Sequence, residues 1–118
     1  MSEKIIENLI LEWLSYQKDC FAWKNNSTGI YDTKKKVFRQ SKNKYAINGV
    51  SDILGVYKGR MLAIEVKAAK GKVSKAQEDF INRVTNQGGI AFVARDIRDV
   101  VSTLKEFDNE HGIKGIPE

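Results

Sequence analysis

The chain is poor in several residue types, and each shortage closes a class of function. A single cysteine, Cys20, excludes an internal disulfide framework and a cysteine-built zinc cage. A single histidine, His111, argues against a His-rich metal centre and against a Ser-His-Asp triad. One proline and nine glycines exclude collagen-like and low-complexity readings. No long apolar run is present: the first residues, Met1-Ser2-Glu3-Lys4, lead into apolar pairs broken by Glu and Asn. Neither a signal peptide nor a membrane-spanning helix is expected, so the expectation is a soluble cytoplasmic protein with no membrane partner.

What is present suits one folded domain over residues 1–118. The chain has a mass of 13.4 kDa, with 42% hydrophobic and 30% charged residues. Twenty Lys and Arg against fifteen Asp and Glu leave a net charge of +5, which points weakly to a polyanionic partner.

Ile5, Ile6, Leu9, Ile10, Trp13 and Leu14 recur at helical spacing and predict a helix over 3–18, with Ser2 as its N-cap. Phe21-Ala22-Trp23 reads as a short strand or a buried connector. Residues 24–48 lack helical period and are expected to form an exposed loop or loose hairpin, with short strands near Ile30-Tyr31 and Val37-Phe38. A hairpin follows, 52–57 and 60–67, around a Lys58-Gly59 turn. Ser74 opens a second helix that Gly88-Gly89 stops; 90–94 is an apolar strand; Asp96 or Asp99 starts a last helix. The tail from about Asn109 is expected to be loose. Sheet with helices packed on it, an α/β architecture, is the natural solution.

The hairpin carries the chemistry. With a two-residue turn, Tyr57 faces Arg60, Leu54 faces Ala63 and Asp52 faces Glu65. Residues opposite one another share a sheet face, with Cβ atoms about 4.5–5.5 Å apart, and like charges there are destabilising. Such a pair is relieved by sharing a proton or by binding a cation. Lys67 shares the face of Glu65, while Leu62, Ile64 and Val66 take the other as core. Two carboxylates suit a hard cation, Mg²⁺ or Mn²⁺, and a lysine beside them can orient water or stabilise charge on a phosphate. A salt bridge on a solvated face is the alternative. Lys is also not a favoured first residue for this turn, and a longer loop would shift the register.

The same residues resemble a known family. Asp52 followed by Glu65-Val66-Lys67 matches the pattern of the PD-(D/E)XK nuclease superfamily. Gly49-Val50-Ser51-Asp52, Ile64-Glu65-Val66-Lys67 and Ser74-Lys75-Ala76-Gln77 look like its VRR-NUC branch. The resemblance implies an αβββαβ core, a central mixed sheet flanked by helices. It also implies that Asp52, Glu65 and the Val66 carbonyl bind the metal, that Lys67 positions or activates water, and that Gln77 orients groups at the site. A helix-one Glu is expected near the metal, with Glu7 the candidate and Glu3 its rival one turn earlier. Two of these have plainer readings. Ser74-x-x-Gln77 is a capping box, and Glu7 could simply pair with a surface charge.

Lys34, Lys35, Lys36, Arg39, Lys42 and Lys44, interleaved with Tyr31, Phe38 and Tyr45, read either as a solvated loop or as a nucleic-acid contact that Lys70 and Lys72 extend. The family resemblance implies a metal-dependent endonuclease acting on branched DNA, of Holliday junction resolvase type. It also implies a homodimer, for which Trp23, Ile30, Tyr31, Val37 and Phe38 are the candidate interface. The rivals are a non-catalytic DNA-binding module with the same fold, and a monomeric nuclease acting on linear or flapped DNA.

Overall fold

The computed structural model describes residues 1–26, 30–32, 37–39 and 44–112. Along the chain run α1 (Glu3–Ser15), β1 (Cys20–Lys24), β2 (Ile30–Asp32), β3 (Val37–Arg39), β4 (Ile53–Tyr57), β5 (Arg60–Val66), α2 (Lys75–Asn86), β6 (Ile90–Ala94) and α3 (Ile97–Glu110). Strands β1, β4, β5 and β6 form one mixed sheet in the order β1-β4-β5-β6, antiparallel except for the parallel β5–β6 pair. The β2–β3 hairpin is a separate two-stranded unit inserted between the first two strands of that sheet. The αβββαβ core is therefore α1, β1, β4, β5, α2 and β6, with α3 added.

The turn that looked unfavourable forms nevertheless. Lys58 and Gly59 both take positive φ, 49° and 85°, the conformation that matches the twist of the flanking strands. Lys58 is held there by its N–H, which donates to the Asp19 carbonyl at 2.8 Å, and by its Nζ, 3.0 Å from Asp108 Oδ2. The register follows: Tyr57 opposite Arg60, Leu54 opposite Ala63, Ile53 opposite Ile64.

Period-2 alternation then divides the sheet into two faces. One carries Ile53, Tyr57, Leu62, Ile64 and Val66 and packs on Ile6, Ile10 and Leu14 of α1 and Val100 and Leu104 of α3. The other carries Ala63, which packs on Phe80 and Val84 of α2. Each fully buried Leu or Ile contributes about 1.5–3 kcal/mol, so the α1/α3 face supplies most of the apolar stabilisation. Helix α2 covers the β5–β6 half of its face and leaves β1 and the outer part of β4 open: Phe21 and Val56 are exposed.

Three expectations are adjusted. Helix α1 ends at Ser15 rather than 18, because the chain turns at Tyr16 and Asp19 takes φ 58° to enter β1. Helix α3 extends through Asn109 to Glu110, with His111 stacked on Phe107 at 4.1 Å, and residues 113–118 lie outside the described residues. Asp96, not Asp99, is the α3 N-cap, and the two form a reciprocal capping box. Among the described residues no helix is long and apolar enough to cross a membrane.

Gly49 ties the entry of the hairpin to α2. Its φ is +77°, and a Cβ there would lie 2.3 Å from the Ala76 carbonyl carbon and oxygen. Gly59 has a similar φ, +85°, but open space around it. Gly49→Ala should therefore cost about 1–3 kcal/mol more than Gly59→Ala, since steric displacement of the first turn of α2 adds to the backbone strain the two share. Urea midpoints of the two variants check this; equal losses would contradict it.

Candidate active site

The hairpin register sets the site. The β1–β4 pairing runs one residue past the ladder, with the Asn25 N–H donating to the Asp52 carbonyl at 2.7 Å. Asp52 thus stands at the start of β4, and its Oδ2 accepts the Val66 N–H at 2.8 Å. That bond crosses the end of the hairpin and aims the Asp52 carboxylate at the last residues of β5. Glu65 is buried on the same face. Glu65 Oε2 accepts from Gln77 Nε2 at 3.0 Å and lies 3.7 Å from Lys67 Nζ. Glu65 Oε1 is buried and has no hydrogen-bond donor among the described residues.

The electrostatics follow from that burial. Desolvation pushes the Glu65 carboxyl up to about 8, and the charge of Asp52 adds to the shift. The two groups are close enough for a protonated Glu65 to hydrogen-bond to Asp52; Lys67 opposes the shift and Glu3 reinforces it. A buried carboxylate with an undonated oxygen, set beside a second, half-buried one, is a place where a cation would be favoured. Two hard oxygen ligands, one of them unsatisfied, fit Mg²⁺ or Mn²⁺ in chemistry. Among the described residues no third Asp, Glu, His or Cys joins them to make a group of three, and the Val66 carbonyl, which the family resemblance implies as a ligand, is a backbone candidate for a further one.

Gln77 serves both of its readings at once. Its Oε1 accepts the Ser74 N–H at 2.9 Å and its N–H donates to Ser74 Oγ at 3.1 Å, completing the capping box; its Nε2 is left for Glu65. Asp52, Glu65, Lys67 and Gln77 are therefore brought together. A small cavity of about 290 Å³, lined by Asn48, Gly49, Asp52, Ser74 and Gln77 among others, opens beside them.

Helix α1 supplies two carboxylates at different points. Glu7 is buried and pairs with Lys24, whose charge Asp52 also feels. Glu3 Oε2 accepts the Ala68 N–H at 3.3 Å, just beyond Lys67. The sequence reading did not foresee Lys24 as the partner of Glu7, although alternation along β1 puts Lys24 on the α1 face. Nor did it foresee Arg95. Arg95 Nη1 donates to the carbonyls of Ala68 at 2.7 Å and Gly71 at 2.9 Å, pinning the loop that carries Lys70 and Lys72. Both of those lysines are exposed. Lys44 lies over the Tyr45 ring at 5.1 Å. Arg39 is in β3, and Lys34, Lys35, Lys36 and Lys42 lie outside the described residues.

A pH dependence follows for the metal-free protein. An unfolded Glu65 titrates near 4.5 and the folded one near 8, so between these values the native state holds more protons than the unfolded state. Stability contributed by this site is complete below about pH 4.5 and falls as pH rises to about 8. Melts in EDTA should show a declining midpoint over that window in the wild type. Glu65→Gln should flatten the decline and melt several degrees higher at pH 8–9. A mutant less stable than wild type at pH 9 would contradict the assignment.

Comparison with known proteins agrees with this arrangement. A solved structure described as a VRR_NUC domain protein superposes with a TM-score of 0.59 at 20% identity, covering 92% of this chain and 89% of that one, which establishes the shared fold. No match was found among curated proteins. The family model of the VRR-NUC domain matches residues 1–96, the span from α1 through β6 that holds the whole carboxylate site, and the chain belongs to the VRR-NUC family.

Proposed function

We propose that this nuclease-family chain is a metal-dependent endodeoxyribonuclease that hydrolyses phosphodiester bonds in branched DNA, with four-way junctions as the favoured substrate. The observation that carries the reading is the pairing of half-buried Asp52 with buried Glu65, whose Oε1 is undonated among the described residues and whose Oε2 lies 3.7 Å from Lys67 Nζ.

Asp52, Glu65 and the Val66 carbonyl would hold Mg²⁺ or Mn²⁺, which when bound supplies Lewis-acid polarisation of the phosphate. The rest falls to the side chains. Val66 N–H and Gln77 Nε2 fix the two carboxylates in place, so little reorganisation is needed as charge develops. Lys67 orients the attacking water and stabilises negative charge on the phosphoryl oxygens. Glu7, through Lys24, and Glu3, through the Ala68 N–H, set the potential around the pair from α1. Lys34, Lys35, Lys36, Arg39, Lys42 and Lys44 would contact phosphates along the arm, and Lys70 and Lys72 at the loop pinned by Arg95.

A four-way junction presents two equivalent strands, and paired cuts require two sites related by a twofold axis. A homodimer joined through the β2–β3 hairpin supplies them. The family resemblance supports this reading.

Asp52→Asn and Glu65→Gln should each abolish junction cleavage in Mg²⁺ or Mn²⁺ while the fold persists, and Mn²⁺ should raise the wild-type melting midpoint but not theirs. Lys67→Ala should lose roughly 10²–10³-fold in cleavage rate and retain metal-free DNA binding. Reversal of Lys35, Lys36 and Arg39 to Glu should instead weaken binding and lower the salt slope by about 1 per lost phosphate contact. Full activity in either carboxylate variant would remove the metal assignment.

Assembly has its own test. Light scattering should give twice the 13.4 kDa protomer mass, and Phe38→Asp should lower it toward the protomer. A wild-type monomer that still makes symmetric cuts would dismiss the twofold argument.

A further inference from the structure

The face of the sheet that carries Asp52 and Glu65 also carries an uncovered apolar strip. Phe21 lies opposite Val56, and Val56 opposite Met61; Trp23 lies opposite Leu54. Phe21 is 68% exposed, Trp23 44%, Val56 42% and Met61 43%. The two rings are neighbours, with centroids 5.3 Å apart and tilted by 46°. Because Asp52 is two residues before Leu54 on β4, it is the diagonal neighbour of Trp23, about 7–8 Å away. Met61 lies four residues before Glu65 on β5, about 13 Å along the strand.

At that far end the strip runs into a groove of about 960 Å³ beside the C-terminal half of α2, whose lining includes Met61, Lys58, Arg60 and Arg83 and no carboxylate. Lys58 is paired with Asp108 and adds little net charge, whereas Arg60, held by the neutral Gly88 carbonyl, contributes its charge from a set position. Arg83 is exposed. An open aromatic and aliphatic surface that begins at the carboxylate pair and ends in a cationic groove has the chemistry of a single nucleic-acid strand: stacking for bases, positive charge for phosphates. A second copy of the chain fits this face worse, since a twofold contact through it would set Arg60 and Arg83 against the same residues of the other copy.

We propose that this strip seats unpaired nucleotides of the substrate, with bases on Phe21 and Trp23 and a phosphate on Arg83, so that the enzyme selects DNA that is splayed or single-stranded beside the scissile bond. The inference rests on the nuclease reading of the carboxylate site and adds the substrate feature that the site recognises. It also moves Trp23 from the expected dimer interface to the substrate path.

The test measures binding without metal, so it does not depend on cleavage. A fluorescein-labelled oligothymidylate and a fully paired hairpin duplex are titrated in EDTA, with anisotropy as the readout. Phe21→Ala with Trp23→Ala should weaken oligothymidylate binding by roughly tenfold or more and leave the duplex little changed. Trp23→Phe keeps a ring and should restore most of the affinity. Addition of oligothymidylate should quench tryptophan emission in the wild type but not in Trp23→Phe, and Arg83→Ala should lower the salt slope by about 1. Unchanged oligothymidylate affinity in the double variant would overturn the proposal. So would a drop of the double variant to protomer mass in light scattering, because the face would then be a protein interface. A protein that cleaves duplex and junction DNA while failing this binding test loses only the present inference. One that passes it but cuts no DNA in Mg²⁺ or Mn²⁺ loses the nuclease reading instead.

Discussion

The forced proximity of Asp52 and Glu65 is the constraint on which the rest of this molecule depends. Two carboxylates at the open end of one hairpin, Glu65 buried and Asp52 half-buried, are unfavourable together, and the fold holds them there through a hydrogen bond to each. The Val66 N–H grips one and the Gln77 amide grips the other. The hairpin cannot slip to relieve them, because a one-residue shift would turn Leu62, Ile64 and Val66 out of the α1/α3 core. Hydrophobic burial on one face of β5 thus sustains electrostatic strain on the other. Desolvation first, and then the charge of Asp52, raise the proton affinity of Glu65. A shared proton, or on the proposed reading a metal cation, would relieve the pair.

Much of this was legible in the chain. Strand period alone puts Leu62, Ile64 and Val66 on one face and Glu65 and Lys67 on the other, and Lys58-Gly59 marks the turn even though Lys is a poor choice for positive φ. What made the turn certain is tertiary and invisible to local pattern: Asp19 from the α1–β1 connection and Asp108 from α3 converge on Lys58. Gln77 shows a different limit. A capping box and a site contact looked like competing explanations, and they are compatible because an amide has two ends. Between Glu3 and Glu7, helical period alone does not choose, since both lie on the side facing the sheet; their partners, Ala68 N–H and Lys24, come from distant segments. Trp23 was expected in a buried connector or in a dimer interface. It is not buried in the protomer, because α2 covers only the β5–β6 half of the sheet face.

The division of labour between the two sheet faces explains how so short a chain can hold a buried site. Helices α1 and α3 share one face and build the larger core, while α2 alone sits on the other. On the proposed function, the space beside α2 is the route by which a substrate would reach the carboxylates. A second helix on that side would have strengthened the core and closed the approach.

The orientation of the Gln77 amide limits what that position can become. At the third residue of a helix, glutamate and glutamine complete a capping box equally well, and a drift between them would ordinarily be neutral. Here the nitrogen end faces Glu65. Glutamate would keep the cap and add a third negative charge beside buried Glu65 and its neighbour Asp52. Alanine would leave both the cap and Glu65 short of a partner. The start of α2 and the carboxylate site therefore cannot diverge independently: a substitution that is silent for helix stability is read immediately by the charge balance across the sheet.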